Sequence, residues 1–117
     1  MPSIKRFGIG ARMSQAVVHG DLVYLAGQVA LGARGASVAA QTDDILNRID
    51  ALLAEAGSDK SKLLSATIWL SDIAKFGEMN GVWDAWVAQG HTPARACVEA
   101  RLAAPEYDVE IAVVAAR

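Results

Sequence analysis

Apolar residues recur along the chain with two distinct periods. Leu64, Ala66, Ile68 and Leu70 alternate with Ser65, Thr67 and Trp69, which is strand periodicity. Ile45, Ile49, Leu52, Leu53 and Ala56 instead fall at i, i+4, i+7, i+8 and i+11, with Asp43, Asp44, Arg48 and Glu55 elsewhere. That spacing predicts a helix from a Ser37 N-cap to about Ala56, ended by Gly57. Phe76, Met79, Trp83, Trp86 and Val87 form the stripe of a second helix. Ser71 or Asp72 caps it, and it reaches about Ala88 before Gly90. Residues 4–7, 15–19 and 22–26 read as extended, the last two joined at Gly20-Asp21 as a hairpin. Gly32 and Gly35 mark 31–36 as loop. After Pro93, residues 95–102 read as extended, 103–108 turn the chain, and 109–114 form a last strand.

The predicted order is β-β-β-α-β-α-β-β, an α+β domain spanning residues 1–117 with both helices on one face of the sheet. Several strands are nonetheless apolar on both sides: Val17 beside Val18, Val23 and Leu25 beside Leu22 and Tyr24, Ile111 and Val113 beside Ala112 and Val114. An antiparallel sheet with one wet face should alternate cleanly. The uncovered face is therefore expected to pack against further copies of the chain.

Composition narrows the function. Of 117 residues, 53% are apolar and 21% charged, which excludes a disordered chain. Thirteen acids against eleven Lys and Arg leave a net charge of −2, so the driving force for nucleic-acid binding is missing. One cysteine and two distant histidines, His19 and His91, give neither a disulfide nor a metal site of known spacing. No run approaches the roughly 18 apolar residues of a membrane span. The opening residues lack a secretory core, so the expected compartment is the reducing cytosol.

Candidate chemistry gathers near the two final strands. In 95–102, Arg95, Cys97, Glu99 and Arg101 share a polar face opposite Ala96, Val98, Ala100 and Leu102. That face is either solvated or, if the sheet oligomerises through it, a place where a desolvated Arg95 requires an anion; its fork of donors matches a carboxylate. Glu110 lies within an apolar strand, and the turn before it leaves open whether it shares a face with Arg95. If it does, an anion clamp and a general base flank one cleft. Gly27 marks a bulge or a close approach of ligand or backbone. Cys97 reads as a small buried hydrophobe rather than a nucleophile, and Trp69, Trp83 and Trp86 as core.

Four blocks, taken together, resemble the Rid (YjgF-type) family of reactive intermediate, or enamine/imine, deaminases. They are Ser14-Gln15-Ala16-Val17-Val18, Gly20-Asp21-Leu22-Val23-Tyr24-Leu25-Ala26-Gly27-Gln28, Asn80 ahead of Trp83, and Pro93-Ala94-Arg95-Ala96-Cys97-Val98-Glu99. The resemblance runs in order through essentially the whole chain. It implies a chorismate-mutase-like fold assembled as a homotrimer with ligand clefts between subunits. It also implies hydrolysis of 2-imino or 2-enamino acids to 2-keto acids and ammonia without cofactor or metal. By that pattern Arg95 grips the substrate carboxylate and Glu110 orients the attacking water. The backbones of Gly27 and Cys97 contact the ligand, and Asn80 lies near the cleft.

The chain departs from the pattern at two positions. Met13 stands where the family's deaminases usually carry a ligand-contacting tyrosine, and Ala26 where a serine is common. Met13 cannot donate a hydrogen bond. These departures motivate an alternative: a trimeric binding or regulatory protein for 2-keto-acid-like ligands with little turnover. Neither reading involves a membrane or a nucleic acid.

Overall fold

The computed structural model describes residues 3–117. It contains strands β1 (Ile4–Phe7), β2 (Ala16–His19), β3 (Leu22–Leu25), β4 (Gln28–Val29), helix α1 (Val38–Glu55), β5 (Leu63–Leu70), helix α2 (Phe76–Trp86), β6 (Ala94–Glu99) and β7 (Val109–Ala116). The expected α+β architecture is present, with one more strand than the periodicity indicates. The short β4 falls between the extended stretch 22–26 and the loop 31–36 and carries no signal of its own, because two residues cannot display a period.

All seven strands join one mixed sheet in the order β1-β2-β3-β7-β5-β6, with β4 also pairing to β7. Every pairing is antiparallel except β5 with β6, the two strands that α2 connects. A parallel pair needs such a crossover. Gly20, at φ +60°, turns β2 into β3 as the Gly20-Asp21 signal predicts.

Helix α1 forms where the stripe predicts. Ser37 Oγ accepts from the Ala40 N–H, and Gly57 takes φ +82° just past the C-cap. Ile45, Leu46, Ile49 and Leu53 are fully buried against the sheet core of Val18, Val23, Ile68, Leu70 and Ile111. Truncating any of these α1 residues to alanine costs about 2–5 kcal/mol. The second helix begins later than expected: Asp72 caps a short 3-10 turn at Ile73–Lys75, and α2 follows. Glu78 of α2 accepts from the Ala39 N–H of α1, and the Trp86 indole donates to Asp50. These contacts lock the helices side by side.

The turn before β7 is pinned from a distance. Gln41, fully buried on α1, donates to the carbonyls of Ala36 and Glu106 and accepts from the Asp108 N–H. Along β7, Val109, Ile111, Val113 and Ala115 consequently face the helices, while Glu110, Ala112, Val114 and Ala116 face the open side. The open face carries Val17, Leu22, Tyr24 (46% exposed) and Val98 (47% exposed), as expected from the two-sided apolar strands. Among the described residues no helix is long and apolar enough to cross a membrane.

Candidate active site

The residues singled out in the sequence fall into two groups on opposite faces of the sheet. The first lies on the edge strand β6. Arg95, Cys97 and Glu99 pair in register with Ala66, Ile68 and Leu70, which face the helices. The polar face of this strand is therefore on the helix side and not on the apolar open face. The open side of β6 carries Ala96 and Val98. The reason lies in the edge position of β6: side chains on its helix side flank α2 rather than entering the core.

Arg95 is held by α2. Its Nη1 donates to Asn80 Oδ1 at 2.8 Å, and its guanidinium carbon lies 5.3 Å from the Trp83 ring centroid and 5.6 Å from that of Phe76. Phe76 is 40% exposed, so this end of the predicted stripe is not core. Among the described residues the one ion pair is Arg48 with Asp44, which leaves Arg95 without a carboxylate partner. Cys97 packs partly against the core; burial pushes its thiol up, opposed by the charge of Arg95. A thiol held protonated is a poor nucleophile.

The second group surrounds a bulge. Between the pairs Tyr24–Val114 and Gln28–Ile111, β3–β4 carries one residue more than β7. A Cβ on Gly27 would overlap Glu110 Oε2, so the bulge reading of Gly27 holds, and what comes close to it within the chain is a side-chain carboxylate. Burial raises the Glu110 carboxyl above its ordinary value. Trp69 pairs with Glu110 in register and faces the open side with it, not the core as expected. Gln15 ties the 8–15 loop to the bulge, accepting at its backbone carbonyl from the Ala26 N–H and at its side chain from Gln28. That loop walls a hollow of about 480 Å³ lined by Gly8, Gly10, Arg12 and Met13, the last 47% exposed.

Arg95 and Glu110 of one chain do not share a face. Their partners on β5, Ala66 and Trp69, are three residues apart, and the two residues lie two strands apart. Strand geometry then separates their backbones by about 14 Å, with side chains pointing to opposite sides. A larger hollow, about 600 Å³, lies beyond the ends of β5 and β6. Its Glu99 is occupied by the Ile73 N–H, and its Ser71 by Asp108. Of the residues singled out in the sequence it contains Glu99 and Arg101, but neither Arg95 and Cys97 nor Gly27 and Glu110. Among the described residues, no three of His, Cys, Asp and Glu converge as a metal site. What the sequence reading missed is the aromatic platform under Arg95; the signal was present, since Phe76, Asn80 and Trp83 fall at i, i+4 and i+7.

Residues 4–117 match the family model described as Endoribonuclease L-PSP, and the chain belongs to that family, which includes the YjgF and RutC proteins. It is 44% identical over 114 residues to the RutC family protein YoaB of Escherichia coli, covering 97% of this chain and 98% of the relative. A YjgF family protein from Neisseria meningitidis has the same fold, with a TM-score of 0.95 and 52% identity over 98% of this chain and 95% of the other. A YjgF/YER057c/UK114 family member from Mycobacterium tuberculosis superposes with a TM-score of 0.89 at 30% identity, covering 98% of this chain and all of the other.

Proposed function

We propose that this protein hydrolyses reactive 2-imino and 2-enamino acids to 2-keto acids and ammonia, in clefts formed where copies meet in a homotrimer. The observation that carries the reading is the placement of Arg95, unpaired on one face, and Glu110, partly buried on the other. One chain cannot bring both to a small substrate; two adjoining chains can. The apolar open face, with Tyr24 and Val98 exposed, supplies a reason for copies to join.

In this reading Arg95 holds the substrate carboxylate through its remaining donors. The partner subunit's Glu110 accepts a proton from water as the oxygen adds to the imine carbon. Glu110 returns that proton to the nitrogen and then takes the hydroxyl proton as the carbinolamine collapses to the ketone and the nitrogen leaves as ammonia. A carboxylate raised by burial is the better base for this step. An imine carbon is already electrophilic, so positioning supplies much of the needed acceleration. Gly27 and Cys97 contribute backbone to the cleft, Met13 forms part of its wall, and the free thiol of Cys97 suits a cytosolic location.

Two measurements test this. The first generates 2-iminobutanoate in situ and traps it with semicarbazide; the protein should raise 2-keto acid release at the expense of semicarbazone. The second mixes Arg95→Ala and Glu110→Gln chains before assembly. Each variant alone keeps only a small residual activity, but random mixed trimers regain about a quarter of wild-type activity, because one cleft in four joins intact halves. If mixing restores nothing, the shared cleft is wrong. The departure at Met13 favours a second reading, a 2-keto acid-binding protein without turnover, which predicts saturable binding of 2-oxobutanoate with no acceleration. Cleavage of RNA, suggested by the family description, would have to proceed without a basic surface.

A further inference from the structure

We propose that one face of helix α2 aims Arg95: Trp83 and Phe76 confine the guanidinium, and Asn80 engages one of its N–H groups so that the remaining donors are presented to an incoming carboxylate. This rests on the reading of Arg95 as the substrate anchor and assigns positioning roles to Phe76 and Trp83, with Asn80 acting on the arginine rather than the ligand.

An arginine on an exposed edge strand would ordinarily sample many rotamers, and binding would have to freeze them. Here Phe76, Asn80 and Trp83 project from one helical face, and the three contacts converge on a single guanidinium. Trp83 is only 4% exposed and packed into the core, so this half of the platform is held in place.

The charge pattern around this platform supports the same role. Asn80 is a neutral acceptor and orients the guanidinium without discharging it, whereas a carboxylate there would compete with the ligand. Two acids on these elements are committed to backbone donors, Glu78 accepting from the Ala39 N–H and Glu99 from the Ile73 N–H, and among the described residues no carboxylate pairs with Arg95. The fold thus keeps its own carboxylates off Arg95 while holding the side chain in place.

The test measures 2-oxobutanoate binding by calorimetry and imine hydrolysis in the same variants. Phe76→Leu, which alters a half-exposed ring, should weaken binding and raise KM about tenfold with kcat within about threefold. Asn80→Ala should do the same. Asn80→Asp should bind more weakly than Asn80→Ala, an order that a merely structural role for Asn80 does not predict. Trp83→Phe should retain most affinity and Trp83→Leu should not; because Trp83 is buried, Phe76 and Asn80 decide the matter if Trp83→Leu fails to fold. If Phe76→Leu and Asn80→Ala bind as wild type while Arg95→Ala loses binding, the positioning role is overturned and Arg95 remains the anchor. If Arg95→Ala also binds normally, the anchor reading itself falls.

Discussion

The carboxylate of Glu110 occupies the space that a side chain on Gly27 would fill. The missing Cβ at the bulge therefore determines where the acid can sit. Gly27→Ala must push Glu110 away from its position, and displacements of about 1 Å at a reacting group cost up to about a hundredfold in rate. Imine hydrolysis by Gly27→Ala should fall at least tenfold, with little change in the thermal melt. Normal turnover in a folded Gly27→Ala protein would show that the position of Glu110 does not matter.

Burial raises the Glu110 carboxyl above its ordinary 4.5, which fixes the sign of two pH effects. As the base, Glu110 must be ionised, so kcat/KM should fall with decreasing pH through a limb displaced above the usual carboxylate range. That limb should be absent from the residual activity of Glu110→Gln. For stability, the folded state holds this proton more tightly than the unfolded one. The contribution is fully present below pH 4.5 and is lost as pH rises through the folded value. Glu110→Gln should accordingly gain stability relative to wild type between pH 4 and pH 7, as read by denaturant melts at both.

Val98 and Tyr24 stand exposed on the open face. Val98→Asp places a charge where adjoining copies would bury it, a strongly unfavourable transfer. Sedimentation should show dissociation to folded monomers, and hydrolysis should drop by more than tenfold. A Val98→Asp protein that remains assembled and active would place the contact elsewhere.

Gln41 is the buried polar hub that fixes the turn before β7. Gln41→Leu leaves the Asp108 N–H and two carbonyls without this partner. The expected loss is about 2–3 kcal/mol in chemical denaturation. Because that turn sets which way Glu110 faces, the surviving folded fraction should also show reduced turnover. A loss below about 0.5 kcal/mol would mean other contacts hold the turn.

The order of elements was legible because each long element carries its own period: α1 in Ile45, Ile49 and Leu53, β5 in Ala66, Ile68 and Leu70. The faces of Arg95 and Glu110 were not. Residues 103–108 separate the two strands, and nothing local fixes how many residues the turn consumes. Its register is set by Gln41, more than sixty positions away in the chain. Phe76 was misplaced for a related reason, since helical periodicity identifies a stripe but not where the neighbouring surface ends. Gly27 was found because a glycine interrupting a strand pattern has few explanations; the structure supplies the bulge, and adds the Glu110 side chain as the group that needs the space.

The division of Arg95 and Glu110 between opposite sides of the sheet has a consequence in time. On the proposed reading, a newly synthesised polypeptide carries a complete set of reactive groups and can use none of them until it meets its equals. Specific activity should therefore rise with protein concentration, steeply at first and then levelling off, and extreme dilution would silence the catalyst without unfolding it.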